Sequence, residues 1–199
     1  MKKAVIYIHG MGGSAEEAAH YIPLFPDCDV TGLDYKAQTP WEAAEEFPVL
    51  TEKIFRDYGS VSLIANSIGA YFAMISLADK RIEKAFFISP VVNFEKLIEG
   101  MMLRSGVSED ELKERGEITT ESGELLSWEY LCYVREHPAR RIARTHILYG
   151  SGDSLVPYGD MSAFAEKTGA TLTVMQDGEH WFHTEEQMKF LDGWIRRYK

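Results

Sequence analysis

Six short apolar runs, separated by stretches with helical periodicity, are the feature of this sequence that most restricts its fold. Each run contains five or six residues, and the first, KAVIYI at residues 3–8, is apolar almost throughout. Runs of this kind are typical of strands that are buried on both faces, as in a parallel sheet. The predicted strands are residues 3–8, 29–33, 61–65, 84–88, 145–149 and 171–175.

Helical segments between these runs predict a doubly wound α/β fold. Thr39 and Pro40 suit an N-cap and a first helical position, so a helix should run from here to about residue 58, with Pro48 kinking or interrupting it. Alternating strands and helices form parallel sheets with right-handed crossovers. We therefore expect one domain over residues 1–199, with helices on both faces of a six-stranded, mostly parallel sheet. Further helices are predicted over residues 15–24, 68–79, 157–168 and 185–198.

One long segment, residues 93–138, interrupts this alternation between the fourth and fifth predicted strands. It carries its own signals, which are an apolar helical repeat, a capping box, a small hairpin and a second apolar helix. Because the alternation resumes afterwards, we expect the segment to lie at one rim of the sheet as a cap. In chain order the four signals occupy residues 94–102, 108–111, 118–126 and 125–134.

A serine stands at the junction between the third predicted strand and the helix that follows it. Ser67 has Ala65 two residues before it and Gly69 two residues after it. A sharp turn here would lift the hydroxyl above the sheet and bring these two positions close together, so only small side chains would fit. The pattern resembles the nucleophile elbow, G-x-S-x-G, of the α/β-hydrolase family, with Ala65 in place of the first glycine. Taken alone, the serine is also compatible with a simple N-cap.

Loops that follow other predicted strands contain an acid and a histidine. In a doubly wound sheet these loops meet at the carboxyl edge of the strands, where ligands bind. The string LYGSGDSLVP contains Asp153 and the string DGEHWF contains His180; both resemble the corresponding loops of α/β hydrolases. The order Ser, Asp, His is also the order in that family. The resemblance covers nearly the whole chain apart from residues 93–138.

The resemblance implies a role for each of these groups. Ser67 would be the nucleophile, His180 the base that takes its proton, and Asp153 the group that orients and stabilises the histidine. The backbone N–H groups of Met11 and Ile68 would form an oxyanion hole for negative charge on the substrate oxygen. Such a site requires no cofactor, and no cluster of residues has the spacing of a metal site.

Alternatives remain open for two of these roles. Asp153 could merely cap the turn before Pro157, and Asp34 could serve as the acid in its place. His183 could be the base instead of His180.

The first loop also fits a different class of function. The loop from Gly10 to Ala15, GMGGSA, matches the dinucleotide-binding pattern G-x-G-x-x-A, and Asp34 follows about twenty residues later. This would make the chain an NAD-binding protein, but it leaves Ser67, Asp153 and His180 without a role. A hydrolase fold retained only as a binding module is a further alternative.

Charge and composition exclude several other classes. The net charge of −10 argues against nucleic acid or an anionic membrane as a partner. No apolar stretch approaches the roughly 18 residues of a membrane span. Cys28 and Cys132 are too few for a disulfide framework, and the start of the chain lacks the apolar core of a signal peptide. We therefore expect a cytoplasmic protein with reduced thiols.

The expected substrate is a small molecule with a reactive carbonyl. We expect a carboxylesterase that cleaves a small or medium acyl or aryl ester, with Met101, Met102 and Trp128 of the predicted cap lining the substrate pocket. The position of a hairpin-bearing insertion is similar to that in small bacterial feruloyl or cinnamoyl esterases. A thioesterase or acyltransferase using the same residues is the alternative, although a coenzyme A thioester would favour a more basic rim.

Overall fold

The computed structural model describes residues 2–199, and its centre is a six-stranded sheet in which all strand pairs are parallel. The six predicted strands are confirmed within one or two residues at each end. The strands of this sheet are β1 (Lys3–Ile8), β2 (Asp29–Gly32), β3 (Ser60–Asn66), β4 (Lys84–Ile88), β7 (Arg144–Gly150) and β8 (Thr171–Met175). A separate antiparallel pair is formed by β5 (Glu117–Thr119) and β6 (Leu125–Ser127).

Helices surround the sheet in the predicted alternation. The first helical segment, Ala15–Leu24, is a 3₁₀ helix, and the rest are α-helices. These are α1 (Pro40–Asp57), α2 (Ser67–Ser76), α3 (Phe94–Arg104), α4 (Glu109–Arg115), α5 (Trp128–Glu136), α6 (Tyr158–Thr168) and α7 (Glu185–Tyr198).

The strand order creates one reversal of direction across the sheet. The order is β2-β1-β3-β4-β7-β8, so the chain moves outward from β1 to β2 and then returns to the other side of β1 to form β3. The crevice outside the carboxyl ends of β1 and β3 is therefore the topological switch point, where open α/β sheets bind their ligands. The loop after β1 and the junction after β3 both open into this crevice.

Alternate residues of each central strand face two separate cores. In β1, Ile6 and Ile8 belong to the core beneath α1 and α2, whereas Val5 and Tyr7 belong to the core beneath the 3₁₀ helix and α7. Successive strand side chains point to opposite faces, so a strand covered on both sides must be apolar at every position. This requirement explains the continuous apolar runs in the sequence.

Local signals set most of the helix boundaries. Thr39 accepts a hydrogen bond from the backbone N–H of Glu42 at the start of α1, and Gly169 ends α6 in a left-handed conformation with φ 67°. The helix expected to end near residue 58 is confirmed as α1, which continues through Pro48 to Asp57 without interruption. One expectation was wrong: the helix expected from residue 125 begins only at Trp128, because the residues before it pair with β5 as strand β6.

The segment between β4 and β7 contains α3, α4, the β5–β6 hairpin and α5, and it packs against α1 and α2. Tyr71 of α2 lies 5.0 Å from Phe94 of α3 between ring centroids, and Trp41 of α1 lies 5.7 Å from Tyr130 of α5. The buried residues of the segment are continuous with the core on this face of the sheet. The segment therefore shares the core of the main sheet, and its role as a cap over the site stays a prediction.

Charged groups fix the helices of this segment to one another and to the rest of the chain. Arg135 of α5 pairs with Glu95 at 2.7 Å and Glu109 at 2.7 Å, which lie on α3 and α4. Lys96 of α3 pairs with Asp160 of α6 at 2.7 Å. Exposed pairs contribute little individually, but a cation shared among several carboxylates restrains their relative positions.

One histidine is buried far from the switch point. His146 of β7 is 2% exposed, with its ring stacked against Phe86 and Tyr198. Its Nδ1 contacts Thr171 Oγ1 at 2.6 Å, while Nε2 has no partner among residues 2–199. Burial, with smaller effects of Arg144 and Lys84, lowers the pKa of His146 below its ordinary value. The folded protein therefore resists protonation of this ring.

Replacing His146 with Phe should reduce the acid sensitivity of the fold. The unfolded chain binds a proton at His146 below about pH 6.5 and the folded chain resists it, so stability falls as the pH drops through that value. We expect the decrease in Tm between about pH 7.5 and pH 5.5 to be smaller in His146→Phe, which keeps the aromatic stack but cannot titrate. An unchanged decrease, measured by thermal unfolding, would contradict this account.

Candidate active site

Ser67 occupies a sharp turn between β3 and α2. Its φ is +48°, a left-handed conformation that non-glycine residues rarely adopt. The strand ends at Asn66 and the helix begins at Ser67 itself, so no loop residue separates the two elements. Such strain persists only where the surrounding structure holds it, and it occurs often at functional sites.

The end of β1 lies directly against this turn. A Cβ atom added to Gly69 would stand 2.1 Å from the carbonyl oxygen of His9, and one added to Gly10 would stand 3.3 Å from Ser67 Cβ. The need for a small residue at position 69 was expected from contact with position 65. The nearest atoms instead belong to His9 and Ile8, so β1 imposes the requirement.

Ser67, His180 and Asp153 are joined by two hydrogen bonds. Ser67 Oγ lies 2.8 Å from His180 Nε2, and His180 Nδ1 lies 2.7 Å from Asp153 Oδ2. The Asp153 side chain has no exposed surface, whereas His180 keeps 22% of its side-chain surface exposed. The structure therefore brings together three groups that are separated by up to 113 positions in the chain.

Asp153 also stabilises its own loop. Its second oxygen, Oδ1, accepts hydrogen bonds from the backbone N–H groups of Leu155 at 2.8 Å and Val156 at 3.0 Å. Capping the turn before α6 and contacting His180 were treated as alternatives, but the carboxylate does both because it has two oxygens. Its position is thus fixed from two directions.

The loops after β7 and β8 are hydrogen-bonded to each other. The N–H of Gly152 donates to the carbonyl of Gly178 at 2.8 Å, and the N–H of Asp177 donates to Ser151 Oγ at 2.8 Å. An added Cβ at Gly150 would stand 2.2 Å from the Gly178 oxygen, so the two loops are in direct backbone contact. These bonds fix the loop that carries Asp153 relative to the loop that carries His180.

Two backbone N–H groups near Ser67 have no acceptor among residues 2–199. They belong to Met11, in the loop after β1, and to Ile68, in the first turn of α2. The first N–H groups of a helix lack partners within the helix and carry partial positive charge, which favours an anion. The predicted donors are therefore free to bind an oxygen outside the chain.

Aromatic contacts support the loop after β1 from one side. His9 stacks on Tyr35 with ring centroids 4.2 Å apart, and the Tyr35 hydroxyl donates to the His9 carbonyl at 2.9 Å. His9 Nδ1 lies 2.8 Å from the Gly10 carbonyl. The His9 side chain thus contacts its own loop and Tyr35.

A second set of hydrogen bonds joins this loop to the residue before Ser67. Tyr7 donates to Glu17, and Asn66 Nδ2 donates to the Tyr7 hydroxyl at 2.8 Å. Glu17 also accepts from the N–H of Ser14 at 3.2 Å. Burial raises the pKa of Tyr7, so its phenol stays protonated and can donate. The sequence interpretation missed this network, although the S-x-x-E spacing of Ser14 and Glu17 and a tyrosine in an apolar strand were visible signals.

Other candidates from the sequence lie elsewhere. Asp34 is exposed and pairs with Lys36 at 2.8 Å, while His183 contacts the Trp181 carbonyl and Glu179. Neither contacts Ser67 or His180. The structure therefore does not bring the alternative acid or the alternative base into the hydrogen-bonded set.

The predicted pocket residues belong to the segment between β4 and β7. Met102 is 6% exposed within the core, while Met101 and Trp128 are partly buried against it. The Lys113 ammonium lies 5.7 Å from the centre of the Trp128 ring. Their contact with a substrate stays a prediction.

The described part of the chain contains neither a metal-binding cluster nor a membrane-spanning helix. Within residues 2–199, no group of three or more His, Cys, Asp or Glu side chains is arranged to hold a metal ion. No helix over the same residues has both the length and the apolar character needed to cross a bilayer. Both cysteines are free thiols, and a cytoplasmic location stays a prediction.

Sequence comparison finds one partial relative among curated proteins. No protein-family model matches the chain. A Mycoplasma genitalium protein named "Putative esterase/lipase 3" is 27% identical over 122 residues, which are 55% of this chain and 44% of that protein. The chain thus matches less than half the length of this relative.

Structural comparison identifies the fold. A "Putative hydrolase" from Agrobacterium vitis S4 matches with a TM-score of 0.79 and 18% identity over 98% of this chain and 87% of its own. Mouse alpha/beta hydrolase domain-containing protein 10 matches with a TM-score of 0.76 and 14% identity, over 98% of this chain and 88% of its own. Est1E from Butyrivibrio proteoclasticus, solved with ferulic acid bound, matches with a TM-score of 0.74 and 16% identity, over 98% of this chain and 87% of its own. The chain has the α/β-hydrolase fold.

A methyl group at position 69 should separate β1 from the Ser67 turn. Gly69→Ala places Cβ against the His9 carbonyl, so either α2 or β1 must move, and we expect a loss of about 3 kcal/mol in the free energy of unfolding. Gly193→Ala is a matched control, since nothing lies within 4 Å of an added Cβ at this position in α7. The control should gain about 0.5–1 kcal/mol. Equal stability of Gly69→Ala and the wild type in urea unfolding would disprove the close approach.

Proposed function

We propose that this protein is a serine hydrolase that cleaves carboxylic esters through an acyl-enzyme on Ser67. The observation that carries the proposal is the hydrogen-bonded chain from Ser67 through His180 to Asp153. A serine hydroxyl is a weak nucleophile at neutral pH and needs an adjacent base to accept its proton. The geometry supports that use, because His180 contacts the Ser67 hydroxyl on one side and the buried carboxylate of Asp153 on the other.

The two nitrogens of His180 would have different tasks. Asp153 accepts a hydrogen bond from the Nδ1–H group, which fixes the tautomer and leaves the Nε2 lone pair facing Ser67. When Ser67 attacks the ester carbonyl, Nε2 takes its proton and then gives it to the departing alcohol. A water then attacks the acyl-enzyme with His180 again as base, and Ser67 recovers its proton as the acid leaves.

The oxyanion would form between the loop after β1 and the start of α2. The N–H groups of Met11 and Ile68 have no other acceptor among residues 2–199, which supports their assignment as donors. Preorganised donors of this kind are each worth roughly a factor of 10² to 10³ in rate. The close approach of Gly10 to Ser67 supports this role for the loop.

Charge distribution favours a neutral ester over a coenzyme A thioester. Two basic residues of the inserted segment are engaged in ion pairs, since Lys96 pairs with Asp160 and Arg135 pairs with three glutamates. Arg141 donates to the carbonyls of Ala143 and Thr168. The partial match to a protein named as an esterase/lipase, and the likeness to a structure with bound ferulic acid, also support an ester.

Dinucleotide binding at the first loop is less compatible with the local charge. Glu16 and Glu17 lie in the first turn of the 3₁₀ helix that follows the loop. A pyrophosphate at this helix start would meet two carboxylates, whereas phosphate sites at helix starts depend on positive potential.

We further propose that the inserted segment, residues 93–138, is a cap within a single domain. Its pairing with α6 through Lys96 ties it to the helix that follows the Asp153 loop. Met101, Met102 and Trp128 remain the proposed pocket residues on this segment.

Covalent labelling tests the nucleophile directly. A fluorophosphonate should react once, because attack by Ser67 Oγ displaces fluoride and leaves a stable phosphonyl adduct detectable by intact mass. We expect no adduct in Ser67→Ala, and labelling in His180→Ala slower by at least about 10³-fold. Ser60→Ala, at the opposite end of β3, is the matched serine control and should label like the wild type.

Two results would reject this proposal. One is a folded wild-type protein that forms no adduct, and the other is an adduct that persists in Ser67→Ala. Faster labelling of His180→Ala than of His183→Ala would transfer the role of base to His183.

Removing the Tyr7 hydroxyl should weaken the link between the oxyanion loop and Ser67. In Tyr7→Phe both the bond to Glu17 and the bond from Asn66 are lost, and small displacements of catalytic groups are costly. We expect kcat for a p-nitrophenyl ester to fall by roughly 10- to 100-fold with KM nearly unchanged.

Tyr58→Phe is the matched control for this variant. The Tyr58 hydroxyl also donates to a carboxylate, that of Asp29 at 2.7 Å, but it contacts none of the site residues. It should retain wild-type kcat. A parallel loss of kcat in both variants, or a change confined to KM in Tyr7→Phe, would contradict a positioning role for Tyr7.

A further inference from the structure

Four exposed apolar side chains lie on or next to the loops that carry the candidate site residues. Met11 is 87% exposed, Trp181 70%, Tyr158 55% and Leu155 40%. Single exposed apolar residues are normal on protein surfaces, but a group of them beside a polar site indicates a binding surface. These residues are four of the eleven large apolar side chains that are exposed among residues 2–199, on a chain whose net charge is −10.

Each of these residues stands next to a group of the candidate site. Met11 carries a proposed oxyanion donor, and Trp181 directly follows His180. Leu155 donates its backbone N–H to Asp153 at 2.8 Å, and Tyr158 begins the helix after that loop, with its ring 5.9 Å from that of Tyr149. The loops after β1, β7 and β8 therefore each carry an exposed apolar side chain next to a residue of the candidate site.

Trp181 is the largest of these side chains, and it is held in place. Its indole stacks on His183 with centroids 4.6 Å apart and an interplanar angle of 19°. His183 Nδ1 lies 2.8 Å from the Trp181 carbonyl and 3.4 Å from Glu179, and its backbone N–H donates to Gln187 at 3.0 Å. The indole is therefore supported on one face and exposed elsewhere, which suits stacking against a flat apolar ligand.

The charges around this indole favour a neutral ligand. Glu179 lies two residues before it, Glu185 and Glu186 begin α7, and Asp177 lies in the same loop. The imidazole of His183 is beside Glu179 and is engaged there. A carboxylate or phosphate on the ligand would meet mainly negative charge.

We propose that Trp181, supported by His183, binds an aromatic group on the alcohol side of a neutral ester. The alcohol side is favoured because His180, the adjacent residue, is the group that protonates the leaving alcohol. This proposal rests on the proposed function for its chemistry, but the subsite itself does not require turnover. Trp181 would be a substrate contact outside the inserted segment, in addition to the pocket residues predicted within it.

Paired substrates test the subsite in the active protein. Naphthylmethyl acetate and ethyl acetate share an acyl group and have leaving alcohols of similar acidity, so they differ mainly in the aromatic ring. In Trp181→Ala we expect kcat/KM for the naphthylmethyl ester to fall about tenfold more than for the ethyl ester, mainly through KM. Trp181→Phe should recover most of this preference. Phe190→Ala, a surface aromatic on α7, is the matched control and should leave both substrates unaffected.

Ligand binding tests the subsite without catalysis. Naphthalenemethanol, the product alcohol, should bind Ser67→Ala protein about tenfold more tightly than the Ser67→Ala/Trp181→Ala double variant, as measured by NMR titration. This result would support the subsite even if fluorophosphonate labelling rejected the hydrolase. Conversely, labelled Ser67 with equal naphthalenemethanol affinity in both proteins would overturn the subsite and leave the hydrolase intact.

One other occupant of this surface is tested in the same series. If Trp181→Ala abolished binding to phosphatidylcholine vesicles and left the affinity for naphthalenemethanol unchanged, Trp181 would belong to a lipid-binding surface and the aromatic subsite would be rejected. Thermal unfolding of each variant verifies the fold, which the removal of so exposed a side chain should preserve.

Discussion

The contact between the end of β1 and the turn at Ser67 is the constraint on which the rest of the site depends. Two glycines make it possible, because a Cβ on Gly69 would collide with the His9 carbonyl and one on Gly10 would press on Ser67. This contact places the loop that carries Met11 beside the first turn of α2. The proposed pairing of the Met11 and Ile68 N–H groups as oxyanion donors depends on this contact.

The strain at Ser67 is maintained by well-packed neighbours. A non-glycine residue at φ +48° costs on the order of 1–3 kcal/mol. β3 is central in the sheet, and Ala65 and Ala70 on either side of the turn are fully buried. The carbonyl of Ser67 also accepts a hydrogen bond from Val91 at 3.2 Å, from the segment after β4. The segments that follow β1 and β4 therefore contact the turn from two sides.

Polar groups around the site are arranged so that each loop is fixed by another element. Asp153 is held by the backbone of its own loop, the β7 and β8 loops are bonded to each other, and Glu17 with Tyr7 joins the first loop to Asn66. The apolar side chains in the same loops remain exposed. A rigid polar frame with an apolar margin suits a neutral substrate, since little binding energy is lost to ordering the site.

The sequence by itself determined the strands, their order along the chain and most helix ends. These features depend on periodicity and on hydrogen bonds between residues a few positions apart, which a single sequence displays. It also indicated Ser67, Asp153 and His180, because each follows a strand and resembles a known loop. It placed the start of one helix wrongly at residue 125, since the pairing of β6 with β5 overrides the local helical preference there.

Only the tertiary structure decided which polar groups meet. The sequence left His183 open beside His180 and Asp34 open beside Asp153, because the choice depends on how loops far apart in the chain pack together. The links from Tyr7 to Asn66 and from Glu17 to Tyr7 have the same origin, as does the exposure of Trp181. Hydrogen bonds and stacking require separations of a few ångströms, and for residues distant in sequence the packing of the sheet and its loops sets those separations.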